Sequence, residues 1–242
     1  MAALAVALLL QGCVDAVAPP ADQPAPAAAI AAPSALSRPG DSAQAVAATF
    51  VAVAARVEPV AEAYCRSRRT GPLNCNIIIA VDDRPELSPN AFQTVDSRGR
   101  PYVVFTLSLI AMARNADELA FVMGHEAAHH IAGHIPRRQD QAVSGAILAG
   151  VIAQASGLPD DEVRAAREAG ANLGARQFSR EFELEADVLG TEIALAAGFD
   201  PIRGAAFFDR LPDPGKGFLG THPPNAARKA LVAETVRRLT GG

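Results

Sequence analysis

The chain has 242 residues, half of them hydrophobic, with few aromatics, no tryptophan and a net charge of −4. Its basic residues are scattered rather than clustered, so a nucleic-acid role has no electrostatic support. About 200 residues remain once the terminal segments are set aside, enough for one domain with a good core.

Residues Ala2 to Leu10 are wholly apolar. That run is too short to span a bilayer and has the length of a signal-peptide core, so residues 1–12 are predicted to be a signal peptide. Leu10-Gln11-Gly12-Cys13 reads as a lipobox, in which Cys13 would be cleaved, acylated and become the mature N-terminus. Val14 follows it where an aspartate would argue for inner-membrane retention, which points to the periplasm and an outer-membrane anchor. Residues 13–41 are rich in alanine and proline and read as an extended, lipid-anchored tether, with the folded domain in 42–242.

Ser42 to Arg68 reads as a helix, apolar through Ala45, Val46, Ala48, Thr49, Val53 and Val57. Cys65 and Cys75 flank a Gly71-Pro72 turn, and an export signal implies an oxidising compartment, so the two are expected to pair. Asn76 to Val81 is a predicted strand, with the β-branched run Ile77-Ile78-Ile79. Ala91–Val95 and Tyr102–Phe105 predict a hairpin around Asp96-Ser97-Arg98-Gly99. A short helix, Thr106 to Ala113, follows.

The next helix, predicted from Asp117 to His134, carries the most informative segment, His125-Glu126-Ala127-Ala128-His129. Asn115 can cap it, and Asp117 and Glu118 suit the positive end of the helix dipole. Its flanks are apolar almost all round, so the helix is buried, and buried histidine and glutamate need partners. Residues four apart stand one turn above each other on one face, so both imidazoles can reach one metal ion. Glu126 sits about 100° around the helix, placed to touch a metal-bound water. This is the His-Glu-x-x-His arrangement of zinc peptidases. His130 and His134 repeat the spacing on another face with no acid after His130, and read as structural or surface-facing. Ile135 stands where a metzincin would place its third histidine, which excludes that class.

Residues 139–157 are apolar enough to invite a membrane reading, but Ser144, Gln154 and Ser156 interrupt the run. A buried or membrane-touching helix is expected. Further helices are predicted for Asp160–Gln177, Ser179–Ala197, Pro201–Arg210 and Asn225–Leu239. In the second of these, Glu183, Ala186, Asp187, Gly190, Ala194 and Ala197 share one face, small enough to lie close against another helix. Catalytic zinc usually takes three protein ligands, and Glu183 is the candidate third. Asp187, one turn on, is placed to accept a hydrogen bond from the outer nitrogen of a ligand histidine. Glu181, Glu185 and Glu192 fall opposite, as a solvated acidic stripe. His222, held between a glycine-rich stretch and Pro223-Pro224, is expected near a cleft. There it would stabilise an oxyanion, together with Arg228, or transiently ligate the metal.

Three ordered motifs resemble the HtpX, BepA and LoiP group of gluzincin metallopeptidases, relatives of the CAAX prenyl protease. They are Asn115-Ala116-Asp117-Glu118-Leu119-Ala120 leading into His125-Glu126-x-x-His129; Ser179-Arg180 with Glu183-x-x-x-Asp187-x-x-Gly190; and Thr221-His222-Pro223 with Arg228. His134 also falls at a position often histidine in that group. The resemblance implies an α+β, mostly helical gluzincin fold, with a small β-sheet above the active-site helix. It implies one Zn2+ held by His125, His129 and Glu183, with Glu126 as catalytic base, Asp187 as orienting acid and His222 as auxiliary catalytic residue. The expected activity is hydrolysis of peptide bonds in misfolded or misassembled envelope proteins. An exposed edge strand would bind extended peptide, with Asn90-Ala91-Phe92 the candidate. The rival expectation is an envelope assembly factor that binds polypeptides through the same edge and rarely cleaves them.

Overall fold

A computed structural model of the chain describes residues 42–177, 179–211 and 223–241. The predicted signal peptide, Cys13, the tether and His222 lie outside these residues.

Helix α1 (Ala43–Arg68) is capped by the Ser42 side chain, which accepts from the Ala45 N–H. It buries Phe50, Val53, Val57 and Ala61 along one face. Three strands follow: β1 (Ile78–Asp82), β2 (Ala91–Val95) and β3 (Pro101–Thr106). The predicted hairpin is β2–β3, antiparallel, with Gln93 opposite Val103; β1 joins the other side of β3 in parallel. The order β1-β3-β2 therefore leaves β2 at an edge. The outer strands are only half covered, while Val103 and Phe105 of the central strand are fully buried. Phe105 meets Phe50 edge to face at 5.2 Å, which fastens the sheet to α1.

Helices α2 (Leu107–Met112) and α3 (Ala116–Ile131) come next. Asn115 caps α3 by accepting from Glu118 N–H, as the sequence suggests. Asp117 and Glu118 do more than complement the dipole. Both are buried, and each pairs with an arginine, Arg203 and Arg210, further along the chain. These arginines belong to α7 (Pro201–Gly204) and to the 3-10 turn Ala205–Arg210, which are thereby pinned to the start of α3. The α+β, mostly helical architecture is the expected one.

Three expectations need correction. The motif helix stops at Ile131, and His134 begins a new helix, α4 (His134–Ala155). Gly133 adopts the left-handed conformation, φ 65°, which glycine enters without a Cβ penalty and which breaks the helical path. Second, of the two expectations for residues 139–157, burial or membrane contact, burial is excluded, since most of α4 is exposed. It pairs with α5 (Asp160–Gln177) in a hairpin, the backbones touching at Gly145 and Gly170, where an added Cβ would come within 2.3 Å of carbonyl oxygen. Val143, Ile147, Leu148, Val151 and Ile152 face away from that contact and are 57% to 62% exposed. Third, Glu192 is not part of a solvated stripe, since it is buried against Arg68 at the end of α1. A helical wheel drawn on one segment cannot register a helix arriving from elsewhere.

The last two helices are α6 (Ser179–Ala196) and α8 (Asn225–Thr240). Cys65 and Cys75 form a disulfide, Cα–Cα 5.6 Å, that ties the end of α1 to the chain entering the sheet. Just inside this loop, the Asn74 carbonyl lies 2.7 Å from His130 Nε2 on α3. Closing so short a loop restricts the unfolded chain by about 2–3 kcal/mol. The Cys65→Ser/Cys75→Ser double variant is therefore expected to lose about that much stability in urea unfolding; an unchanged midpoint would show that the bridge contributes nothing to stability.

Candidate functional site

The site forms where α6 crosses α3. The crossing is unusually close because both helices present glycine there. A Cβ on Gly124 would lie 2.8 Å from the Gly190 carbonyl oxygen, and one on Gly190 would lie 2.7 Å from the His125 nitrogen. The small face predicted on α6 is thus the one packed against the motif helix, with Ala186, Gly190 and Ala194 buried.

This approach brings His125, His129 and Glu183 together. The two Nε2 atoms are 3.1 Å apart; Glu183 Oε2 is 3.6 Å from the first, and Oε1 is 3.5 Å from the second. Among the described residues, these three are the group of side chains that could hold a metal ion. Bonds of about 2.0–2.1 Å at tetrahedral angles put ligand atoms roughly 3.3–3.4 Å apart; the two imidazole nitrogens, and each of them with its nearer Glu183 oxygen, lie close to that value. Two imidazole nitrogens and one carboxylate are also a donor set that suits zinc.

Protonation follows from the same geometry. Burial opposes charge on His125, but hydrogen bonds to Asp187 and Glu183 overcome it and hold the imidazole's pKa up at about 10. Burial pushes His129 down to about 2, and repulsion from the His125 charge adds to this, leaving a neutral ring. A proton is kept on His125 by carboxylates that a divalent cation would satisfy instead.

Behind these three side chains, Asp187 is completely buried, with Oδ1 3.0 Å from His125 Nδ1. Arg228 of α8 grips this carboxylate through Nε at 2.7 Å and Nη2 at 2.6 Å, while its guanidinium lies over the Phe208 ring. The same Nη2 is 3.4 Å from Glu183 Oε2. Arg228 thus stands at the site, with Asp187 as its principal partner. His222, its expected companion, is outside the described residues.

Glu126 lies beside the ligands, facing the cleft. Burial raises its pKa to about 7, with the nearby Gln93 backbone acting in the opposite direction. Gln93 belongs to β2, so the edge strand borders the same cleft, a space of about 550 Å³ lined also by Asn90, Ala91, Phe92 and Phe207. A carboxylate with a pKa near neutrality at the mouth of a cleft can accept a proton and return it.

Sequence reasoning missed one cluster. His134 is 4% exposed, and its Nδ1 lies 2.8 Å from His129 Nδ1. Its Nε2 is 3.2 Å from Glu185 Oε2, and Arg137 Nη1 donates to the same oxygen at 2.8 Å. Glycine just ahead of His134 was the available signal, since a helix break there turns the ring back toward His129.

A mostly helical domain with a small sheet, a His-Glu-x-x-His helix and a glutamate on a second helix crossing it is a gluzincin-type metallopeptidase domain. The model of peptidase family M48 matches residues 47–236, and the chain belongs to that family. Similar proteins include the mitochondrial metalloendopeptidase OMA1 of Arabidopsis thaliana, 32% identical over 136 residues, covering 54% of this chain and 27% of that protein. The beta-barrel assembly-enhancing protease of Escherichia coli K12 is 30% identical over 141 residues, covering 53% and 29%. OMA1 of Saccharomyces cerevisiae is 28% identical over 167 residues, covering 62% and 44%. The matched stretches thus span between about a quarter and a half of these relatives' lengths.

Proposed function

We propose that this domain is a zinc-dependent endopeptidase of the bacterial cell envelope, acting on misfolded or misassembled proteins. The observation that carries the reading is the convergence of His125, His129 and Glu183 within one small volume, with Glu126 at the same cleft. Membership of a peptidase family and similarity to a protein named beta-barrel assembly-enhancing protease support it. Bound zinc would polarise the scissile carbonyl and acidify a water.

The chain's own residues would do the rest. Extended substrate pairs with the outer edge of β2 near Asn90-Ala91-Phe92, main chain to main chain. Glu126, its pKa lifted toward neutrality by burial, accepts the proton of the attacking water and delivers it to the leaving amine. Asp187, clamped by Arg228, fixes the tautomer of His125 so that Nε2 presents its lone pair. His222, with Arg228, would stabilise the oxyanion. Acylation at Cys13 and the 13–41 tether would hold the domain at the outer membrane, in the periplasm.

Metal analysis of the purified protein, paired with cleavage of an unfolded substrate such as reduced casein, tests this. About one zinc per chain is expected, with cleavage abolished by a chelator and restored by zinc. Glu183→Ala is expected to lower zinc affinity by at least 100-fold, because it removes one of three ligands. Tight metal binding retained in that variant would overturn the ligand assignment. A protein that binds zinc and unfolded chains but never cuts them would be the binding factor instead.

A further inference from the structure

We propose that His134 is a positioning residue for His129, anchored in turn by Glu185 and Arg137. The inference rests on the metal-site reading above, and it follows from counting protons. With Nε2 of His129 directed into the ligand group, its Nδ1 is the outer nitrogen, 2.8 Å from His134 Nδ1. Two ring nitrogens that close share one proton. If the Nε2 lone pair is to serve a cation, the ring proton of neutral His129 sits on Nδ1, and Nδ1–H donates to His134. His134 Nδ1 is then the acceptor, which puts its own proton on Nε2, 3.2 Å from Glu185 Oε2. That oxygen also accepts from Arg137 Nη1 at 2.8 Å. With the His129 Nε2 lone pair kept for a cation, each ring N–H has an acceptor and one ordering of ring protons satisfies both histidines.

Packing holds the relay in register. The His134 ring stacks on Phe182 of α6, centroids 4.5 Å apart and planes within 12°. Arg137 lies over the other ring of that stack, 4.4 Å from the Phe182 centroid. The left-handed Gly133 supplies the reversal that returns His134 toward α3. The two histidine ligands are therefore served by parallel arms. His125 meets an arginine-held carboxylate directly, through Asp187 and Arg228. His129 meets one through an interposed imidazole. The arms differ in exposure: Asp187 is sealed, whereas the Arg137 and Glu185 side chains are 46% and 47% exposed.

Zinc affinity, measured by competition with a chromophoric chelator, tests the proposal in the full folded domain. His134→Phe keeps a ring on Phe182 but removes the acceptor, and a loss of about 10–100-fold is expected. His134→Asn keeps an acceptor oxygen near the Nδ1 position and is expected to recover most of that loss, which a role in packing alone would not produce. Glu185→Ala lies at the surface and leaves the core untouched; a smaller loss is expected, and none when it is added to His134→Asn. Wild-type affinity in His134→Phe, or no recovery in His134→Asn, would overturn the relay while leaving the metal site standing. A wild-type protein that binds no zinc would sink the metal reading and the relay with it.

Discussion

Glu126→Gln is expected to retain zinc and lose peptide hydrolysis by about 10²–10⁴-fold in kcat. The amide is nearly isosteric with the carboxyl group but cannot take a proton from water at neutral pH. Glu126 is not among the three side chains that could hold a metal ion, so its loss is expected to leave His125, His129 and Glu183 as they are. Burial suits the residue to the proposed task. It lifts the carboxyl group toward neutrality, where a base can both accept and release a proton. Zinc content by mass spectrometry together with kcat on a quenched peptide separates the two effects. Full activity in the variant would exclude this base, and loss of zinc would place Glu126 among the ligands.

The second large effect is expected from a residue with no functional group. Gly190→Ala adds one methyl where the neighbours are His125 N at 2.7 Å and His125 Cα at 2.8 Å. Both are backbone atoms of a helix and cannot rotate aside, so α3 and α6 must separate. Overpacking of this kind typically costs about 1–3 kcal/mol. The consequence for the site is larger than that figure suggests. Glu183 and Asp187 ride on α6, and a shift of a few tenths of an ångström moves both against the two histidines. Loss of stability in urea, with zinc affinity falling by at least 10-fold, is the expected outcome. Gly71→Ala, with nothing within 4 Å of the new methyl, is the control and should change neither. A Gly190→Ala protein with normal stability and normal metal binding would mean that the close crossing does not set the site.

Much of the site was legible because helical spacing is local. His125 and His129 share a face by the period of the helix, and the same rule groups Glu183 with Asp187 and the small residues of α6. The Asn115 cap, the hairpin around Asp96–Gly99 and the Cys65–Cys75 bridge came from equally local signals. What escaped was long-range or depended on one dihedral angle. Glu185 was assigned to a solvated stripe, yet it reaches His134 and Arg137, 51 and 48 positions away. Glu192 was assigned there too, yet Arg68, 124 positions earlier, buries it. For the apolar segment 139–157 the sequence left burial and membrane contact both open, because apolar composition reports what a helix could bury, not whether a neighbour arrives.

By itself, the sequence determined which side chains could serve one metal ion, since residue type and helical phase are properties of single segments. It also determined which face of α6 could come near another helix, because only small side chains permit that approach. Tertiary structure alone decided that α3 and α6 cross at Gly124 and Gly190, that Arg228 secures Asp187, and that the chain reverses at Gly133 to set His134 behind His129. These depend on contacts between segments far apart in the chain, and no periodicity within one segment encodes which distant partner will meet it.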